Sequence, residues 1–278
     1  MLETRQIRRV VDLALDEDAP HGDLTSEVFV PADAIATADL VAREPGVFSG
    51  GDVFRIAMTT VDPTVEVAVL VADGDRFAAG ARLATVRGPG RAVLRGERIA
   101  LNLVQRMCGI ATLTAAYVEA AGPRVRVTDT RKTTPGLRAL ERHAVRCGGG
   151  HNHRFSLSDA VMAKDNHLAL VDDVTVAIRA ARARLPHTTH LEVEVDRIDQ
   201  IEPVLAGGVD TIMLDNFDLE DLRKGVEIVD GRALVEASGG VDLTTIGDIA
   251  ATGVDVISVG ALTHSVRNLD LGLDVRLS

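Results

Sequence analysis

Arg131 and Lys132 stand at the end of an alternating segment, VRVTD (125–129), and are cut off at once by Thr133-Thr134-Pro135-Gly136. From Arg124 to Arg154 there are eight Lys or Arg residues and two acids, Asp129 and Glu141, in a chain whose formal net charge is −11. The same stretch ends in GGGHNHR (148–154), a glycine triplet running into His153 and Arg154. A guanidinium fork matches carboxylates and phosphates, and a lysine adds a point charge for phosphate. Taken alone, Arg131-Lys132 reads as a solvated surface pair. The abrupt turn and the glycine run, costly in entropy unless the backbone must pass close to something, point instead to a dense anion site.

Acids supply the complement. In HLEVEVD (190–196), Glu192 and Glu194 fall on one side of a strand because side chains alternate. A carboxylate on a strand buried on both faces is costly unless paired or bound to metal. Asp215 in IMLDN repeats the pattern one strand later. Two chemistries fit: oxygen ligands for Mg²⁺ shared with substrate phosphates, or plain pairing with the Arg/Lys cluster. EASGG (236–240) and VGA (259–261) end later segments and suit either ordinary tight turns or a backbone cradle for phosphate. Of His143, His151, His153, His167 and His264, only His153 stands directly beside Arg154 in the glycine-rich loop, and no HExxH pattern occurs.

The elements that must position these groups show two rhythms. Residues 24 to 95 carry short β-rich runs, ATADLVAR, VEVAVLV and ARLATVRG, punctuated by EPG, ADGD and GPG. Residues 96–121 have helical periodicity, read as about two helices interrupted at Gly109. Thereafter apolar strands alternate with helical segments: 124–129, 160–165, 190–196, 211–216, 233–240 and 256–261. That repeat predicts parallel strands with right-handed crossovers. Nearly every strand ends in a polar residue or glycine, the habit of a barrel rather than of a doubly wound sheet. The segment is shorter than the roughly 250 residues of a full eight-stranded barrel, so an incomplete one is expected.

Composition narrows the classes. With no Trp and one Tyr, and an acidic balance, stacking on nucleic acid is not expected. Residues 1–18 read as an amphipathic helix rather than a signal peptide, and the longest uncharged run, Met107 to Val118, is too short for a membrane span. Cys108 and Cys147 show no metal spacing. The expectation is a cytoplasmic protein with reduced thiols, free of membrane and nucleic acid. No GxGxxG opens a βαβ unit, which sets aside Rossmann dehydrogenases.

The blocks ERIALNLVQRMCGIAT, DTRKTTPGLRALERHAVRCGGGHNHR, AKDNH, EVEV, MLDN, EASGG and ISVGALTHS resemble the quinolinate phosphoribosyltransferase family, and so does DEDAPHGDLTS near the N-terminus. The resemblance implies an α/β fold in two parts: an N-terminal α/β sandwich domain over 1–107, rejoined by about 266–278, and an incomplete, open α/β barrel over 108–265 that is related to TIM-type barrels and carries the site. It implies transfer of phosphoribosyl from phosphoribosyl pyrophosphate to quinolinate with decarboxylation, Mg²⁺ as cofactor, and a homodimer or higher oligomer. Arg131, His153 and Arg154 are then expected on the quinolinate carboxylates, with Arg98 reaching in from the partner subunit. Lys132 and Lys164 are expected against pyrophosphate and ribose, Glu194 and Asp215 at the ribose and Mg²⁺, and Ser238, Gly239 and Gly260 at the 5-phosphate. Cys108, His143 and the sequence RFSLSD depart from the family's commoner residues without touching that charged set. Two further readings are a molybdenum-transport-associated branch with another acceptor and a phosphometabolite-binding barrel without turnover.

Overall fold

The computed structural model describes residues 2–276, which group into two compact units. The first takes residues up to Ala115, Thr133–Gly149 and residues from Leu262 on. It contains β1 (Ile35–Ala42), β2 (Gly46–Val47), β3 (Glu66–Val69), β4 (Arg76–Phe77) and β5 (Arg82–Pro89). β1 lies between β5 and the last strand, Leu271–Val275, and β3 flanks β5, all antiparallel. Alternation on β1 buries Ala38, Leu40 and Ala42. The N-terminal helix Thr4–Asp18 buries Ile7 and Val11 while its charged faces stay outside. Phe48, Phe54, Met58, Leu83, Met107 and Ile110 fill the interior of this unit.

Where the sequence suggests two helices broken at Gly109, the structure has one, Gly90–Ala121. Gly109 is there because the Arg267 carbonyl oxygen lies 2.2 Å from where a Cβ would be. The glycine permits a close backbone approach and ends nothing. By length and composition this helix could cross a membrane, yet 61% of its most apolar window is buried within the protein. It carries Arg91, Arg95, Arg98 and Arg106, in keeping with a core helix.

Arg106 organises the segment that follows Lys132 in the chain. Its Nε donates to Glu141 Oε1 at 2.8 Å, and its Nη2 donates to Thr134 Oγ1 and the Thr263 carbonyl, each at 2.8 Å. Glu141, 1% exposed, also accepts from Thr134 N. Thr134-Pro135-Gly136-Leu137 closes as a turn with Leu137 N donating to Thr134 O, and Gly136 takes the positive φ of +85° that its third position demands. Helix Arg138–Cys147 begins directly after it.

The second unit holds six parallel strands: β6 (Arg126–Thr128), β7 (Val161–Ala163), β8 (Leu191–Val195), β9 (Thr211–Asp215), β10 (Leu234–Ser238) and β11 (Val256–Ser258). Their order is β6-β11-β10-β9-β8-β7. In a closed barrel β6 and β7 would also pair; here they are the two edges, so the barrel is open between them. Leu191, Val193, Val195, Ile212, Leu214, Val235, Ala237 and Ile257 are buried, as strands covered on both faces require. Parallel pairing sets all six carboxyl ends on one side.

Candidate active site

Register builds the site. Ala163 pairs with Val193, Val195 with Leu214, and Asp215 with Ser238. The next residue after β7, Lys164, therefore falls level with Glu194, and their side chains form an ion pair. Asp215 and Ser238 end their strands at the same level. Arg131, Lys132, His153, Arg154, Lys164, Glu194, Asp215 and Ser238 line one cavity of about 350 Å³, together with Thr130, Met162, Met213 and Ser258. A second cavity of about 790 Å³ shares Glu194 and Asp215 and runs on past Asp165, Arg197 and Asn216. Gly239 and Gly260 are not among the lining residues of either. Arg98 belongs to helix Gly90–Ala121 in the first unit.

The basic wall has an anchor that sequence reasoning passed over. Asp129, fully buried, accepts Asn152 Nδ2 at 2.6 Å and the His153 backbone N–H at 2.8 Å. His151 N donates to Val127 O and Asp129 N to His151 O, so residues 151–153 lie along the open edge of β6. The sequence signal was present: an acid between a strand and a cationic pair, in a stretch with one other acid.

Arg154 and Arg131 repel each other. Burial lowers the Arg154 pKa, and the Arg131 charge lowers it further. Two guanidinium groups placed to disfavour each other form a site that an anion relieves. Arg154 also donates from Nη1 to the Ala160 carbonyl at 3.1 Å, which fixes its fork.

His153 is engaged at both ring nitrogens. Nδ1 accepts the Arg154 backbone N–H at 2.8 Å, and Nε2 lies 3.2 Å from Glu192 Oε2 and 3.5 Å from Glu236 Oε1. Burial opposes its charge, but the adjacent Glu192 and Glu236 carboxylates outweigh it and raise the pKa. Burial and the neighbouring Glu236 raise the pKa of Glu192, against the pull of His153. Glu236, on β10 two strands from β8, was not singled out from the sequence; nothing local marks that it meets Glu192 across the barrel.

At the acidic end, Asn216 has the left-handed φ of +59°, and its Nδ2 donates to Asp215 Oδ2 at 2.7 Å. Asparagine tolerates that conformation better than most side chains. Gly239, with φ +96°, lets the β10 loop pass Asn216, whose Oδ1 lies 2.2 Å from where a Cβ would stand. The Ser258 hydroxyl is buried in the cavity wall with no hydrogen-bond partner among the described residues, a donor and acceptor ready for a polar ligand. Glu194 and Asp215 bring two carboxylates to one cavity, too few to cage a cation alone but a donor set that fits Mg²⁺ shared with phosphates.

The chain matches two family models: quinolinate phosphoribosyl transferase, N-terminal domain, over residues 23–108, and quinolinate phosphoribosyl transferase, C-terminal domain, over residues 110–274. It is 46% identical to a nicotinate-nucleotide pyrophosphorylase [carboxylating] of Mycobacterium leprae, over 96% of each chain. A probable nicotinate-nucleotide pyrophosphorylase [carboxylating] of Bacillus subtilis is 39% identical, over 98% of this chain and 94% of that one. Among solved structures, NadC from Streptococcus pyogenes superposes with a TM-score of 0.94 at 43% identity, covering 100% of this chain and 99% of the other.

Proposed function

The chain belongs to the quinolinate phosphoribosyltransferase family, and on that premise we propose that it transfers phosphoribosyl from phosphoribosyl pyrophosphate to quinolinate with decarboxylation, giving nicotinate mononucleotide, pyrophosphate and CO₂ for NAD biosynthesis. The observation that carries this reading is one cavity lined both by the arginines Arg131 and Arg154, close enough for one charge to lower the other's pKa, and by the carboxylates Glu194 and Asp215. The first pair suits a dicarboxylate, the second an electron-poor sugar carbon. The relatives' names favour this acceptor over that of the molybdenum-associated branch.

In this scheme Arg131, His153 and Arg154 grip the acceptor carboxylates, and His153 also holds the loop through its bond from the Arg154 backbone. Arg98 completes the clamp from the partner of a homodimer. Lys132 and Lys164 lie against the departing pyrophosphate; Lys164 is held for this by Glu194. As the bond to pyrophosphate stretches, positive charge grows on the ribose, and the Glu194 and Asp215 carboxylates stabilise it. Ser238 and the backbone at Gly239 and Gly260 hold the 5-phosphate. Glu194 and Asp215, together with the substrate phosphates, would hold Mg²⁺, which when bound would supply positive charge to offset that of the leaving group. Orientation rather than a covalent nucleophile carries the reaction. A cytoplasmic location is part of the same reading.

The test is to incubate the purified protein with quinolinate, phosphoribosyl pyrophosphate and Mg²⁺ and follow nicotinate mononucleotide and CO₂ together. Equal release of both supports the assignment. Product from nicotinate or another heterocycle, with none from quinolinate, overturns it.

A further inference from the structure

Apart from the cavity, one cluster in the first unit brings three ligand types to a single point. Asp73 sits in the turn between β3 and β4, and His143 and Cys147 lie one helical turn apart on Arg138–Cys147. His143 Nε2 lies 2.6 Å from Asp73 Oδ2 and 3.4 Å from Cys147 Sγ. The carboxylate oxygen and the sulfur thus address the same ring nitrogen, whose single proton can serve only one of them well. All three donor atoms lie within 4.8 Å of one another.

The arrangement is built. Asp73 Oδ1 accepts the backbone N–H groups of Gly50 and Gly51, each at 3.0 Å, at the start of helix Gly51–Val61. This leaves Oδ2 free to face His143 and fixes its direction, as outer hydrogen bonds do for metal-binding carboxylates. The Asp73 and His143 side chains are 28% and 26% exposed, open enough for an ion to enter and a water to complete four ligands. The third ligand type, a thiolate, selects Zn²⁺ over Mg²⁺ or Ca²⁺.

We propose that Asp73, His143 and Cys147 form a mononuclear binding site for a thiophilic divalent cation, Zn²⁺ or a metal of like chemistry, tying the β3–β4 turn to helix Arg138–Cys147. Loading releases the protons on His143 Nε2 and Cys147 Sγ to solvent and puts one dication in their place. Charge is conserved, because an aspartate, an imidazolium and a thiol become an aspartate, a neutral imidazole and a thiolate around M²⁺. The site is independent of the Mg²⁺ proposed at Glu194 and Asp215. Cys108 serves as a control, since burial pushes its thiol up to about 12 and keeps it out of the ligand set.

The test uses the full chain, stripped with a chelator and titrated with Co²⁺. One equivalent should give a thiolate-to-cobalt charge-transfer band with the visible bands of a four-coordinate ion, and Zn²⁺ should bleach both. Cys147→Ser should abolish the charge-transfer band, and His143→Gln should weaken binding by at least roughly tenfold. Cys108→Ala and Glu194→Gln should leave the band unchanged, with circular dichroism confirming the fold of each variant. No charge-transfer band at one equivalent, or one that survives Cys147→Ser, overturns the proposal.

Discussion

Asp129→Asn is the sharpest test of how the 151–154 loop is held. The carboxylate gives one oxygen to Asn152 Nδ2 at 2.6 Å and the other to His153 N at 2.8 Å, in a fully buried position. Asparagine fits the same space but keeps only one acceptor. If that oxygen stays on His153 N, the new amide N–H₂ faces the N–H₂ of Asn152. One hydrogen bond to a charged group is lost, worth about 1.5–3 kcal/mol. At 1.4 kcal/mol per decade, this is roughly 10- to 150-fold in the balance between seated and displaced loop. Because the loop carries His153 and Arg154 while Glu194 and Asp215 ride on β8 and β9, the acceptor KM should rise by up to that factor and kcat should change less. Asn152→Ala removes the same bond without opposing two donors and should cost less than Asp129→Asn. Initial rates at saturating phosphoribosyl pyrophosphate, with urea unfolding of each variant, measure both effects. If Asp129→Asn keeps an acceptor KM within about twofold of the parent and an unchanged unfolding midpoint, the anchor argument fails.

Arg106→Leu should cost about 3–5 kcal/mol by stranding the Glu141 carboxylate, 1% exposed; in denaturant titrations the double variant Arg106→Leu/Glu141→Leu should recover part of that loss. Gly109→Ala places a methyl 2.2 Å from the Arg267 oxygen and should lower stability by about 1–3 kcal/mol or more in thermal unfolding. Arg131→Ala should raise mainly the acceptor KM, whereas Glu194→Gln should lower mainly kcat, by roughly 10²–10³ if it stabilises the transition state; steady-state kinetics separate the two. The hydrogen bond to Asp73, then the Cys147 contact, raises the His143 pKa to about 10. A raised folded-state value means a stabilisation complete below the ordinary His pKa of about 6.5 and lost as pH climbs through about 10. In metal-stripped protein the stability gap between wild type and His143→Gln should therefore shrink as pH rises across that window.

The barrel was readable because parallel strands buried on both faces must be apolar runs, and their functional ends must be polar. KD, EVEVD, LDN and ASGG mark those ends without any tertiary information. The cavity-lining charges were legible for the same reason, since a charged residue next to such a run has few other uses. What stayed hidden depends on distant chain. Gly109 looks like a helix breaker until Arg267, far along the sequence, is seen filling its missing side chain. Glu236 is unremarkable on its strand until Glu192 and His153 meet it. Asp73 belongs to a turn, and only folding gives it His143 as a partner.

The gap between β6 and β7 divides the cavity wall into two classes of heritability. Glu194, Asp215 and Ser238 sit at the ends of strands whose places are written many times over in ladder pairs. His153 and Arg154 hang from a short bridge at His151 and one buried carboxylate. On the proposed roles, point mutations there would retune acceptor binding while leaving the strand-borne carboxylates in place. New acceptors would be expected to arise by drift at the open edge, and losses of transfer chemistry by damage to the ladder.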